Sequence, residues 1–481
     1  MRKQQLIAAL LLSSALCMSA HAQGTSAPPQ QQPDSVKGAV LKGKAPVNRA
    51  PLKVTLPRPV RATLDNGLKV ILIEDHKQPT FTMQLALVGR GDADDPKGKD
   101  GVAYMTASLL REGTPTRSSV QFSQDLETLG GTFGVGTTTL DTYITMSGLT
   151  RSLDPLLAIV SDVILHPTFP STELERFRPR LLSQLQAQRA NPDFLVEEQF
   201  AKAIYGDHPA AVVSPSPEAI RAITQEDIKQ FHETYYKPNE SLLLVSGDLT
   251  LAELMPKLKS VFGGWARGDF PKLNLPPVSA PTQAHAFVVD RKASVQTSLL
   301  LGSLSIVGSS PDRYALAVMN QVLGGGPASR LFLNLREDKG YTYGASSSIG
   351  VGRYPGTFSA SADVRTEVTE GALHEFLYEL KRISKDDVGP EELENAKRAI
   401  VGRFALSLEN PRSFLSNLFE QETLGLPDDY WDHYAERIAA VTPADIKRVA
   451  AKYVDPTKLQ IVAVGDAEKI DAIVKAAAAQ P

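Results

Sequence analysis

The chain has 481 residues, with 51 Lys and Arg against 54 Asp and Glu, a formal charge of −3 and 42% apolar side chains. That length allows two or three domains with sizeable cores, and the mildly acidic balance gives no basis for a nucleic-acid partner. The single cysteine, Cys17, excludes a disulfide-stapled scaffold, and beyond the N-terminal segment it leaves no thiol nucleophile.

Arg2 and Lys3 precede an apolar run from Leu6 to Ala20 and the site Ala20-His21-Ala22. Residues 1–22 therefore read as a secretory signal, too short to span a bilayer as a helix. A lipoprotein signal would want a small residue before Cys17, where Leu16 stands. Export without disulfides points to a periplasm, and loss of Arg2 and Lys3 takes the charge from −3 to −5. Residues 23–55 are rich in Pro, Gln, Ser and Lys without apolar periodicity, and are expected to form a flexible tether. No later apolar run reaches membrane-spanning length, so no anchor is expected after signal cleavage.

From Thr80 to Gly89 the chain alternates as a half-buried strand does and runs into a Gly/Asp-rich turn. Asp92, Asp94 and Asp95 lack the spacing and terminal glutamate of an EF-hand, so a solvated acidic loop is expected there rather than a calcium site. Gly101 to Thr114 reads as a helix framed by glycines, and Leu129 to Gly148 as two strands. A further helix ends before Pro192 and carries Gln184.

Ile223-Thr-Gln-Glu-Asp-Ile-Lys, with an apolar run into Gly247-Asp248, recurs as Val441-Thr-Pro-Ala-Asp-Ile-Lys and an apolar run into Gly465-Asp466, a shift of 218 residues from Thr224 to Thr442. Thr224 and Thr442 are placed as N-caps, with Asp227 and Asp445 in the first turn. Pro238 and Pro456 close each helix before a buried strand, Leu242 to Val245 and Leu459 to Val464. A repeat this long predicts two similar α+β domains in tandem, 56–268 and 285–475, each a sheet with helices on one face. The proline-rich, aperiodic stretch 269–284 reads as their linker. In the second domain, Gly324-Gly-Gly326 is followed by no Lys-Ser/Thr, so it reads as a turn before Ser-Arg-Leu-Phe rather than a phosphate loop.

The segment Gly101-Val-Ala-Tyr-Met-Thr-Ala-Ser-Leu-Leu-Arg-Glu-Gly-Thr114 resembles the helix signature G-L-A-H-F-L-E-H-x-L-F-x-G-T of the pitrilysin/insulinase family of zinc peptidases. The glycines fall on Gly101 and Gly113, the alanine on Ala103 and the threonine on Thr114. The two metal histidines fall on Tyr104 and Ser108, and the general-base glutamate on Ala107. The family's third ligand, a glutamate about 76 residues after the second histidine, falls on Gln184. Two imidazoles one helical turn apart grip one zinc ion and an adjacent carboxylate deprotonates its water, tasks that tyrosine, serine and alanine cannot perform. The resemblance covers nearly all of the chain from about Pro57. It implies a mitochondrial-processing-peptidase-like half of a clamshell, mainly antiparallel sheets packed with helices, and no metal bound by this chain.

In the same family an arginine and, seven residues on, a tyrosine reach toward substrate held at a zinc site across the chamber. Here these are Arg336 and Tyr343, within Leu323-Gly-Gly-Gly-Pro-Ala-Ser-Arg-Leu-Phe-Leu-Asn-Leu-Arg336 and on to Tyr343. An arginine and a phenol aimed at a scissile carbonyl stabilise an oxyanion by charge-assisted hydrogen bonds. The plainer alternative is that Arg336 pairs with a nearby acid and Tyr343 packs in a strand. The resemblance thus implies the companion subunit of a pair, acting on peptides with a homologous H-x-x-E-H chain that holds the zinc. The alternative from another class is an inactive peptide-binding or structural scaffold of the cell envelope. The histidines beyond the signal show no pair at ligand spacing, and Ser108 has neither a base nor an elbow motif beside it.

Overall fold

Alternating apolar residues build two sheets. The first orders β1 (Val60–Thr63), β2 (Lys69–Glu74), β6 (Ser241–Gly247), β3 (Thr80–Val88), β5 (Asp141–Leu149) and β4 (Thr132–Thr137). The second orders β7 (His285–Asp290), β11 (Gln460–Gly465), β8 (Gln296–Leu304), β10 (Thr357–Arg365) and β9 (Thr342–Ile349). Leaving out β1, the two orders superimpose strand for strand, and only β2–β6 and β7–β11 are parallel. The computed structural model describes residues 56–479. The readings of 1–22 as a signal and of 23–55 as a tether lie outside the described residues.

The sequence repeat maps onto equivalent elements. Helices Gln225–Tyr235 and Pro443–Tyr453 each open on a reciprocal capping box, in which the Thr224 and Thr442 hydroxyls accept from the backbone N–H of Asp227 and Asp445 at 3.2 Å. Each helix then leads through a short turn into β6 or β11, strands buried along their whole length. Among the described residues, no helix is long and apolar enough to cross a membrane.

Helices on one face of each sheet were expected, but both faces are covered. One set of alternating side chains, Val70, Leu72, Leu243 and Val245, enters the core of the first half, and the other set, Ile71, Ile73, Leu242 and Leu244, points the opposite way. That second face is covered by Phe414, Leu415 and Leu418 of helix Pro411–Leu424, which belongs to the second half of the chain. Reciprocally, Val196, Phe200 and Ile204 of helix Pro192–Tyr205 cover Leu300, Val462 and Val464 of the second sheet. Each covering helix starts at an Asn-Pro pair whose asparagine side chain accepts from the N–H two residues on, Asn191 from Asp193 and Asn410 from Arg412. Central strands with no polar face follow from this exchange, and the described residues belong to one compact unit.

Candidate functional site

The helix that carries the signature runs from Val102 to Leu109 and tightens into a 3-10 turn, Leu110–Glu112, instead of continuing to Thr114. Beyond it, the Gly113 carbonyl accepts from the Thr168 N–H, and the Thr114 hydroxyl donates to Asp162 at 2.8 Å. The helix starts at Gly101, whose φ of 105° is left-handed and whose added Cβ would lie 2.9 Å from Ile220 Cδ1. Both frame glycines thus serve packing that survives without a metal.

Tyr104 and Ser108, one turn apart, are the two half-buried positions of this helix, whereas Ala107 is fully buried. The Tyr104 ring packs 6.4 Å from that of Phe177 on helix Ser171–Arg189, two turns before Gln184 on the same helix. Tyr104 and Gln184 line one cavity of about 580 Å³, so two of the four signature positions converge. Ala107 and Ser108 do not reach its wall. A phenol, a methyl, a hydroxyl and an amide offer zinc neither imidazole, thiolate nor carboxylate, so the residues present do not fit the metal. Among the described residues, no three His, Cys, Asp or Glu side chains are grouped to hold an ion.

Four aspartates, Asp92, Asp95, Asp100 and Asp207, line this cavity, with no lysine or arginine among its wall residues. The loop expected to be solvated is folded inward. Asp95 accepts from the backbone N–H of Gly101 at 2.5 Å and of Ala103 at 2.7 Å, capping the signature helix from outside its own sequence. Asp94 accepts from Gly91 N–H at 3.2 Å and lies 3.6 Å from the buried Arg90 guanidinium. Orphan helix donors and a buried arginine draw the loop out of water, which an acid count alone does not reveal. Burial pushes Asp92 and Asp94 up to about 6 and Asp95 up to about 8, the last against the opposing pull of its two backbone N–H donors. One Asp92 carboxyl oxygen, Oδ1, is buried without a hydrogen-bond partner.

His208 also lines the cavity, and only 3% of it is exposed. Its Nδ1 accepts from Ala210 N–H at 3.1 Å, which leaves the ring proton on Nε2. Burial lowers its pKa and keeps the ring neutral. Tyr205 at 5.9 Å and Tyr354 at 4.9 Å clamp the imidazole, and Tyr354 comes from the second half of the chain. In the sequence, His208 has no second ligand at metal spacing to mark it. Asp95 is not recognisable there as a cap, because the donors it caps lie six and eight residues away.

Arg336 and Tyr343 lie elsewhere, on neither the signature helix nor its cavity. Arg336 sits in the π-type turn Leu333–Asp338, its side chain 43% exposed, 3.4 Å from Glu337 and 4.7 Å above the Phe332 ring. Tyr343 is on β9, the edge strand of the second sheet, and is 94% exposed. The arginine therefore has a neighbouring acid, as the plainer alternative had it, but the tyrosine is not packed. The turn and β9 pack against each other.

The sequence pattern of the insulinase family (peptidase family M16) matches residues 69–214, and that of the peptidase M16 inactive domain matches residues 222–400. An uncharacterized zinc protease of Mycobacterium leprae is 26% identical over 396 residues, covering 81% of this chain and 88% of its own. The non-peptidase homolog YmxG of Helicobacter pylori is 24% identical over 405 residues, 83% of this chain and 92% of its own. Among solved structures, a peptidase M16 inactive domain from Pseudomonas fluorescens superimposes with a TM-score of 0.79 at 26% identity, over 85% of this chain and 98% of that one. A protease from Helicobacter pylori shares the fold with a TM-score of 0.78 at 22% identity, over 85% and 100% of the two chains.

Proposed function

Because the chain belongs to the insulinase (M16) peptidase family and carries no zinc-binding side chain at Tyr104, Ala107, Ser108 or Gln184, we propose that it is the non-metal subunit of a periplasmic heteromeric zinc metallopeptidase. Its partner is a homologous chain with an intact H-x-x-E-H helix, and its substrates are peptides. This subunit supplies chamber wall, and Arg336 and Tyr343 supply contacts to a substrate carbonyl held at the partner's zinc. The observation that carries this reading is the exposure of Tyr343. A phenol 94% exposed on an edge strand has no packing role to explain its place. The name "non-peptidase homolog" borne by one relative accords with a chain that is inactive alone.

A second reading, a scaffold that holds peptides without chemistry, is favoured by the cavity of about 580 Å³ beside the signature helix. Cleavage of a quenched peptide library separates the two when measured for this chain, for its H-x-x-E-H neighbour, and for the mixture, each with and without a zinc chelator. Activity that rises sharply only in the mixture and is lost to chelator is the expected result. Arg336→Ala and Tyr343→Phe should each lower kcat of the mixture by about tenfold to a hundredfold, the usual effect of losing one oxyanion donor or somewhat less. Unchanged activity in both variants would sink the catalytic part of the proposal, and silence in every mixture would leave the scaffold.

A further inference from the structure

The cavity beside the signature helix has the makings of a binding site of its own. Its wall includes apolar residues, Leu181, Leu185 and Val212, and acidic ones, Asp92, Asp100 and Asp207. Among the described residues, none of these aspartates forms an ion pair with a Lys, Arg or His, and Asp92 Oδ1 is buried with no hydrogen-bond partner at all. A carboxylate oxygen buried without a partner, as in Asp92, is costly unless a donor or a cation reaches it. A second, independent feature calls for an acceptor. His208 is only 3% exposed, its Nδ1 already accepts from Ala210 N–H, and its Nε2–H has no partner among the described residues while the ring lines the cavity. The turn Asp92–Asp94 packs against the turn Pro209–Ala211, which His208 immediately precedes.

A cation with a hydrogen-bond acceptor a few bonds away and an apolar branch describes the first residue of a peptide. We propose that this cavity binds the free N-terminus of a peptide, the ammonium drawn by the unpaired carboxylates that its wall carries, Asp92, Asp100 and Asp207, the first carbonyl accepting from His208 Nε2, and the side chain against Leu181, Leu185 and Val212. The place where the family frame would put a zinc site is then reused for holding rather than cutting. The inference rests on the preceding reading only in that peptides reach this chain. A lysine side chain offers a cation without the neighbouring carbonyl, and so satisfies the acids but not His208.

The test is fluorescence anisotropy of the purified chain with one leucine-initiated heptapeptide, labelled at its C-terminus, in three forms: free amine, N-acetylated, and N-acetylated with an internal lysine. The free amine is expected to bind about tenfold or more tighter than both acetylated forms, the usual discrimination from a charge-assisted contact. Asp92→Asn and Asp207→Asn should each narrow that ratio, and Asp207 is exposed, so its replacement leaves folding intact. Equal binding of free and acetylated peptides, recovery of affinity by the internal lysine, or binding in no form would each overturn the N-terminal site. Any of these results alongside chelator-sensitive activity of the mixed subunits would leave the companion-subunit reading standing. An N-terminal preference with no activity in any mixture would overturn that reading and keep this one.

Discussion

Asp92 shows how a single carboxyl can serve binding at the expense of stability. Burial raises its pKa from the ordinary 3.8 to about 6, and no cation lies beside it to offset the loss of solvation. Below pH of about 4 the group is protonated in both folded and unfolded chains and costs nothing. Between about 4 and 6 the unfolded chain releases its proton first, so stability falls as pH rises through that window and stays lower above it. Asp92→Asn removes the charge and should therefore stabilise the protein by about 1–2 kcal/mol at pH 7.5, the pKa displacement discounted for partial exposure, with no gain at pH 4. Urea unfolding at the two pH values checks this, and an equal effect at both would mean that the carboxyl is not desolvated. If the same variant also weakens capture of free peptide N-termini, the destabilising acid is explained by what it holds.

The covering helices carry the argument at the level of elements. Phe200 and Phe414 are 6% and 5% exposed, each on a helix that lies across the sheet of the opposite half. Phe200→Ala and Phe414→Ala should each cost about 3–5 kcal/mol in chemical denaturation, the range for a truncated buried phenylalanine. Leu406→Ala, at a site 69% exposed, should stay within about 0.5 kcal/mol. A small loss at either phenylalanine would mean that its helix is loosely applied. Much of this architecture was legible: the Thr224 and Thr442 caps, strand Thr80 to Val88, the hairpin after Leu129 and the buried runs of β6 and β11 all follow from local chemistry. The exchange of helices was not legible. Asn191-Pro192 marks where a helix may begin only in the sense of its caps, and nothing in its sequence says which sheet its apolar stripe will meet. The same limit applies to the cavity. Tyr104 and Gln184 come together as the family frame implies, whereas Asp95 and His208 enter through contacts between segments far apart in sequence.

At the scale of the whole molecule, the repeat and the proline-rich stretch 269–284 suggest two units that could be cut apart, yet the packing joins them at several points. Besides the exchanged helices, Arg353 pairs with the buried Asp141 at 2.5 Å, Tyr354 packs its ring against His208, and Tyr205 donates to the Pro355 carbonyl at 3.1 Å. Separation would expose Ile71, Ile73, Leu242 and Leu244 on one fragment and Leu300, Val462 and Val464 on the other, contiguous apolar faces that single domains seldom show to water. Fragments 56–268 and 269–479 expressed separately should therefore be insoluble, or soluble with strong binding of a hydrophobic dye and no cooperative melt. Co-expressed, they should purify together as a soluble one-to-one complex with a single transition. Cooperative, dye-silent folding of either fragment alone would show that its uncovered sheet face tolerates water and that the exchange is dispensable. Because Tyr354 of one half clamps the His208 that lines the cavity of the other, only the rejoined pair should regain preference for free peptide N-termini. Recovery of structure and of that preference would then mark the two halves as one binding unit, built from a duplicated fold whose copies no longer stand alone.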